Sequence, residues 1–149
     1  MKTPHSQVAG NRGQGLALFG SWLTIALAVI VILPLLAEAA IAGPFEDGHL
    51  LYKQRNFTQA CKILRPLADK GDAKSQYFLG RMYGFGEGVP QNYVQAYMWF
   101  TLAASRFSPG EDRDKTIQAC DWMSMQMSPS QIAEAKRLAR EWRPIAPKR

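Results

Sequence analysis

A run of glycines between two helix-patterned segments constrains this chain more than any other feature. The first segment reads Asp72-Ala73-Lys74-Ser75-Gln76-Tyr77-Phe78-Leu79-Gly80-Arg81-Met82-Tyr83. The second reads Tyr93-Val94-Gln95-Ala96-Tyr97-Met98-Trp99-Phe100-Thr101-Leu102-Ala103-Ala104. Gln76, Leu79, Gly80 and Tyr83 share one side of the first, and Ala96, Trp99, Phe100 and Ala103 share one side of the second, as in amphipathic helices. Between them, Gly84-Phe85-Gly86-Glu87-Gly88-Val89-Pro90 cannot continue a helix. Two helices must therefore fold back on each other. Gly80, Ala96 and Ala103 leave room for their axes to approach, and the turn glycines are expected to take left-handed dihedrals where one helix ends and the next begins.

The same unit recurs upstream. Phe45–Tyr52 reads as a short helix, Arg55-Asn56 as a tight turn, and Phe57–Lys70 as a second helix with Ala60, Ile63, Leu64, Leu67 and Ala68 inward. Pro66 inside that helix is expected to bend it and leave one carbonyl without its usual donor. An offset of 36 places Phe57 on Tyr93, Ala60 on Ala96 and Ala68 on Ala104, and an offset of 31 places Tyr52 on Tyr83. A third unit departs from the pattern. After Ser108-Pro109-Gly110, Glu111–Met125 reads as a helix with Ile117, Cys120 and Met123 or Met125 inward. A stop and N-cap at Met127–Ser130 then precede a helix to Trp142 that carries Ile132, Ala135, Leu138, Ala139 and Trp142 at helical spacing. Repeats of this period mean stacked helical hairpins. The expected fold is all-α: a short right-handed α-α superhelix, or solenoid, of about three antiparallel pairs (45–70, 72–106 and 111–143). These make one domain, 43–143, with a basic tail at 144–149.

The pattern Ala73-x-x-Gln76-x-x-Leu79-Gly80-x-x-Tyr83, then Gly86-x-Gly88-Val89, then Ala96-x-x-Trp99-x-x-x-Ala103-Ala104 resembles the SEL-one-like repeat, a relative of the tetratricopeptide repeat. The resemblance implies an interaction scaffold without catalysis. It also implies that Tyr83, Tyr93, Trp99 and Phe100 pack internally, and that the first helices of successive pairs line a concave surface. Lys74, Phe78 and Arg81 occupy positions the pattern leaves free and form one stripe at i, i+4, i+7. With His49 they are the candidate binding residues. A phenylalanine between two cations can grip an extended peptide, an acidic tail or a sugar chain.

The front of the chain is of a different kind. Met1–Gln14 is polar with Lys2 and Arg12, residues 16–36 are uncharged and mostly aliphatic, and Ala37-Glu38-Ala39 and Ala40-Ile41-Ala42 are small-x-small sites. Residues 1–42 therefore read as a secretory signal peptide cut after Ala39 or Ala42, with an uncleaved membrane anchor as the alternative. Either reading puts the repeats outside the cytoplasm, periplasmic or secreted, or on a single-pass anchor. Contact with the membrane is expected through the uncleaved leader alone.

Chemistry is sparse. Gly84-x-Gly86-x-Gly88 lacks the preceding strand that a phosphate-binding loop needs. His5 and His49 are the two histidines, and Cys61 and Cys120 the two cysteines, with no clustered spacing, so no metal, cofactor or catalytic residue is assigned. The two cysteines read as separate small apolar thiols a whole unit apart. Lys and Arg total 18 against 12 acidic residues, a net +6, without an aromatic-interleaved groove of the nucleic-acid type. The expected partner is a protein or peptide, with an envelope or cell-wall component as a further candidate. The alternatives are a wall-associated hydrolase using His49 or Cys61, and a membrane-anchored accessory subunit.

Overall fold

A computed structural model describes residues 43–146, and the leader with its expected cleavage or anchoring lies outside the described residues. Among the described residues there are six helices and no strand: α1 Pro44–Lys53, α2 Phe57–Asp69, α3 Ala73–Phe85, α4 Tyr93–Arg106, α5 Glu111–Ser124 and α6 Pro129–Glu141. None is long and apolar enough to cross a membrane. The fold is the all-α repeat architecture expected.

Local chemistry accounts for the helix ends. Asp72 and Asn92 cap α3 and α4, their side chains accepting from the amides of Ser75 and Gln95 at 2.7 and 3.0 Å. Ser128 and Gln131 form a reciprocal capping box on α6, with Pro129 at its first position, where no amide is needed. Pro66 does not interrupt α2, which runs on to Asp69. The α3 helix outlasts its expected end at Tyr83. Gly84 is a buried helical residue facing Met123 and Ala96, and the left-handed turn begins at Gly86 (φ 69°) and Gly88 (φ 73°).

Consecutive helices α1/α2, α2/α3 and α3/α4 pack face to face. A Cβ placed on Gly80 would stand 2.7 Å from the Phe100 ring, and one on Gly48 would stand 2.7 Å from Leu64, so each hairpin closes through a glycine set against one large side chain. Leu64 and Phe100 keep the offset of 36, but Gly48 and Gly80 differ by 32. The upstream register is thus one residue off the expected 31, which puts Leu51, not Tyr52, on Tyr83. One residue is about 100° around a helix, and Tyr52 sits buried in the main core between Phe57 of α2, at 5.2 Å, and Phe78 of α3, at 5.0 Å. Ala60, Leu64, Ala68, Leu79, Met82 and Trp99 form the main core, and Ala96, Phe100 and Met123 a second one.

The third unit is not a hairpin. α5 and α6 each pack on α4 rather than on one another. Thr116 and Met123 are the buried side chains of α5, whereas Ile117 (41% exposed) and Met125 (74%) face solvent, which corrects the expected inward set. α6 turns back over Trp99: Leu138, Ala139 and Trp142 pack against the main core, with Trp142 6.3 Å from Trp99 and beneath Arg106 at 4.6 Å. The chain continues past α6 without coming free, because the Ile145 amide donates to Asp69 O at 2.8 Å.

Candidate binding groove

The helices α1, α3 and α5 line one groove made of three adjoining hollows. The largest, about 480 Å³, lies among Phe45, His49, Lys74, Tyr77, Phe78 and Thr116. A second, of about 390 Å³, shares His49 and Phe78 with it and adds Tyr52, Lys53, Arg55 and Arg81. A third, of about 260 Å³, runs from Tyr77 and Arg81 to Phe85 and Trp122.

The expected stripe of Lys74, Phe78 and Arg81 lies on the groove side of α3, and His49 is brought against it. Facing it on α1 is a second stripe with the same spacing, Phe45, His49 and Tyr52. Phe78 sits between them, its ring 4.8 Å from His49, 5.0 Å from Tyr52, 5.8 Å from Phe45 and 5.5 Å from Tyr77. The cations cover rings: Lys74 Nζ lies 5.5 Å from the Phe45 centroid and Arg81 Cζ 5.4 Å from that of Tyr52. The Tyr52 hydroxyl donates to Glu87 in the α3–α4 turn. Burial, aided by nearby Lys53 and Lys74, lowers the His49 pKa from its ordinary value, against the opposing pull of Glu46, so its imidazole is neutral at neutral pH. Burial and the hydrogen bond to Glu87 raise that of Tyr52 far above the usual phenol range.

The repeat positions fall where packing requires them. Gln76 is fully buried and donates through Nε2 to Ala68 O at 3.0 Å, holding α3 to the end of α2. Leu79, Gly80, Ala96, Trp99 and Ala103 are buried. Tyr83 is half-buried, and its hydroxyl accepts from Arg65 Nη1 at 3.0 Å. Gly86 and Gly88 make the turn. Gly88 is also a contact, since a Cβ there would stand 2.6 Å from the Phe57 carbonyl carbon.

Phe45, Tyr52, Lys53 and Arg55 were not among the expected groove residues. The signal available was the spacing itself: Phe45, His49 and Tyr52 precede Lys74, Phe78 and Arg81 by a constant 29 residues. The structure gives His49 and Cys61 different surroundings. Cys61 packs against the main core, where burial raises its thiol pKa, the opposite of what an activated nucleophile needs. Cys120, pushed up to about 11 by burial, packs against the second core, and both thiols are free. Among the described residues no three potential metal-ligating side chains gather.

Stacked helical hairpins that leave a groove lined by rings and cations are the architecture of a helical repeat scaffold. Residues 73–106 match the family model of the Sel1 repeat, a module that generally serves protein–protein interaction without catalysis. Over 75 residues the chain is 31% identical to a protein of Rhizobium meliloti (strain 1021) named as an exopolysaccharide production negative regulator. That stretch covers 48% of this chain and 28% of the relative, so the chain spans little more than a quarter of the protein it matches. No solved structure matches the chain.

Proposed function

We propose that this protein is a non-enzymatic scaffold of the cell envelope that holds an extended segment of a partner protein in the groove between α1 and α3. The observation that carries this reading is the pair of facing stripes. Phe78 fills the space between them without closing it, and Lys74, Arg81 and His49 line the opening. Rings and long cationic side chains at i, i+4, i+7 offer an extended peptide both apolar contact and hydrogen-bond donors. The uncharged run at 16–36 with its small-residue exit supports export, and retention of that run would make the protein an anchored accessory subunit. The Rhizobium relative, named for negative regulation of exopolysaccharide production, is in keeping with a role in regulating envelope material through a bound protein.

The test is affinity capture from the native envelope with the full chain and with its Phe78→Ala/Arg81→Ala variant. The variant should lose the partner while its far-UV circular dichroism stays unchanged. Retention of the partner would remove the groove from the account. Mass spectrometry of the mature N-terminus decides the form of export: a start at Ala40 or Gly43 means the leader is removed.

A further inference from the structure

One end of the groove carries three cations that form no ion pair with a carboxylate among the described residues. Lys53 and Arg55 stand exposed where α1 ends, and Arg81 lies beside them on α3, all three around the 390 Å³ hollow. The ion pairs among the described residues lie elsewhere, at Arg65–Asp69, Lys115–Glu111 and Arg137 with Glu134 and Glu141. One carboxylate, Glu87, also lines this hollow and accepts from the Tyr52 hydroxyl, so the three cations outnumber it.

The backbone adds a second, independent observation. α1 ends in a Schellman turn, with Asn56 N bonded to Leu51 O (2.9 Å) and Arg55 N to Tyr52 O (3.0 Å). α2 ends the same way, with Asp72 N on Leu67 O and Gly71 N on Ala68 O. The residue in the left-handed place is Gly71 in α2 (φ 98°) but Arg55 in α1 (φ 61°). A side chain there costs conformational energy that glycine avoids. The turn thus sets the Arg55 guanidinium beside the groove mouth at a local conformational cost that glycine would avoid.

We infer that Lys53, Arg55 and Arg81 receive the carboxylates of an acidic segment of the partner protein, an inference that rests on the groove reading above and gives it a direction. The opposite end of the groove mixes Glu46 and Asp112 with Lys74 and Lys115, so the occupant is acidic at one end and not along its whole length. A uniformly anionic polymer fits that polarity poorly. A sugar chain or nucleic acid would also need open ring faces for stacking, yet Arg81 covers Tyr52, Lys74 covers Phe45 and Arg55 lies over Phe57 at 5.8 Å. A peptide meets both conditions.

The experiment uses the full chain, and fluorescence anisotropy with three probes. These are a labelled peptide bearing a block of Asp and Glu at one end, its Asn/Gln counterpart, and a polyuronate oligosaccharide. The acidic peptide should bind about tenfold more tightly than its amide counterpart, an advantage that shrinks as salt rises. Lys53→Gln with Arg55→Gly should remove about tenfold of that affinity, while Arg55→Gly alone melts no earlier than the native chain. Equal binding of the two peptides overturns the inference, as does polyuronate binding with the same dependence on Lys53 and Arg55. So does an Arg55→Gly variant that melts early yet binds normally, because Arg55 would then be a structural residue. The two readings fail separately. If Phe78→Ala releases the envelope partner but Lys53→Gln/Arg55→Gly holds it at native strength, the groove stands and its acidic occupant falls.

Discussion

His49 is the one histidine in the described domain, and its surroundings make it a reporter of pH. Burial lowers its folded-state pKa below the unfolded value near 6.5, so between those two values the unfolded chain binds more protons. Stability is then full above about pH 6.5 and declines as pH falls through the window beneath it. Thermal midpoints between pH 7.5 and roughly 5 should show this slope, and His49→Phe, which keeps a ring against Phe45 and Phe78, should flatten it. The glycines divide by what surrounds them. On Gly84 a Cβ meets the flexible end of Met123, whereas on Gly88 it meets the backbone of Phe57 at a positive φ. Gly88→Ala should therefore cost about 2–3 kcal/mol and Gly84→Ala no more than about 1, an ordering that urea midpoints would check. The stripe of Lys74, Phe78 and Arg81 was legible in the sequence because it lies on one helix with fixed spacing. Its counterpart on α1 was not, because which face of α1 meets α3 depends on a one-residue register set by Gly48 against Leu64. The left-handed Arg55 was hidden for a simpler reason, since a turn without glycine announces no positive φ.

At the scale of the element, α1 to α4 were readable because small residues and aromatics mark their inner faces and the Arg55-Asn56 turn, Gly71 and the Gly84–Gly88 run mark their breaks. α5 and α6 were readable as helices and not as a pair. The apolar residues of α5 do not define one side: Ile117 is exposed while Thr116, its hydroxyl returned to Asp112 O, is fully buried. Helical spacing shows that α6 has an apolar stripe but not which neighbour it covers, and Trp99 provides the larger surface. Trp142 is the residue that holds α6 there, between Trp99 and Arg106. Trp142→Ala should cost about 2 kcal/mol, less than a fully buried tryptophan because the ring is only partly buried. Limited trypsin digestion would then show earlier cuts at Lys136, Arg137 and Arg140 than in the native chain, with α1 to α4 left intact.

Taken whole, the domain is a stack of units that touch their neighbours in sequence, with one added link between its ends. In such an array each repeat contributes its own stability and ends can peel away. Here Gly88 of the second hairpin rests on the first residue of α2, Gln76 bonds to Ala68 near its last turn, and Ile145 returns from the far end of the chain to Asp69. All three links converge on α2. Far-UV dichroism, which reports every helix, and tryptophan fluorescence from Trp99, Trp122 and Trp142 should accordingly trace one superimposable melt. Separate midpoints would show that the units come apart singly. The strap at Ile145 closes this stack into a circuit. The two hairpins share α2 as their common support, so neither should open without the other, and a deletion of either one should leave nothing that folds.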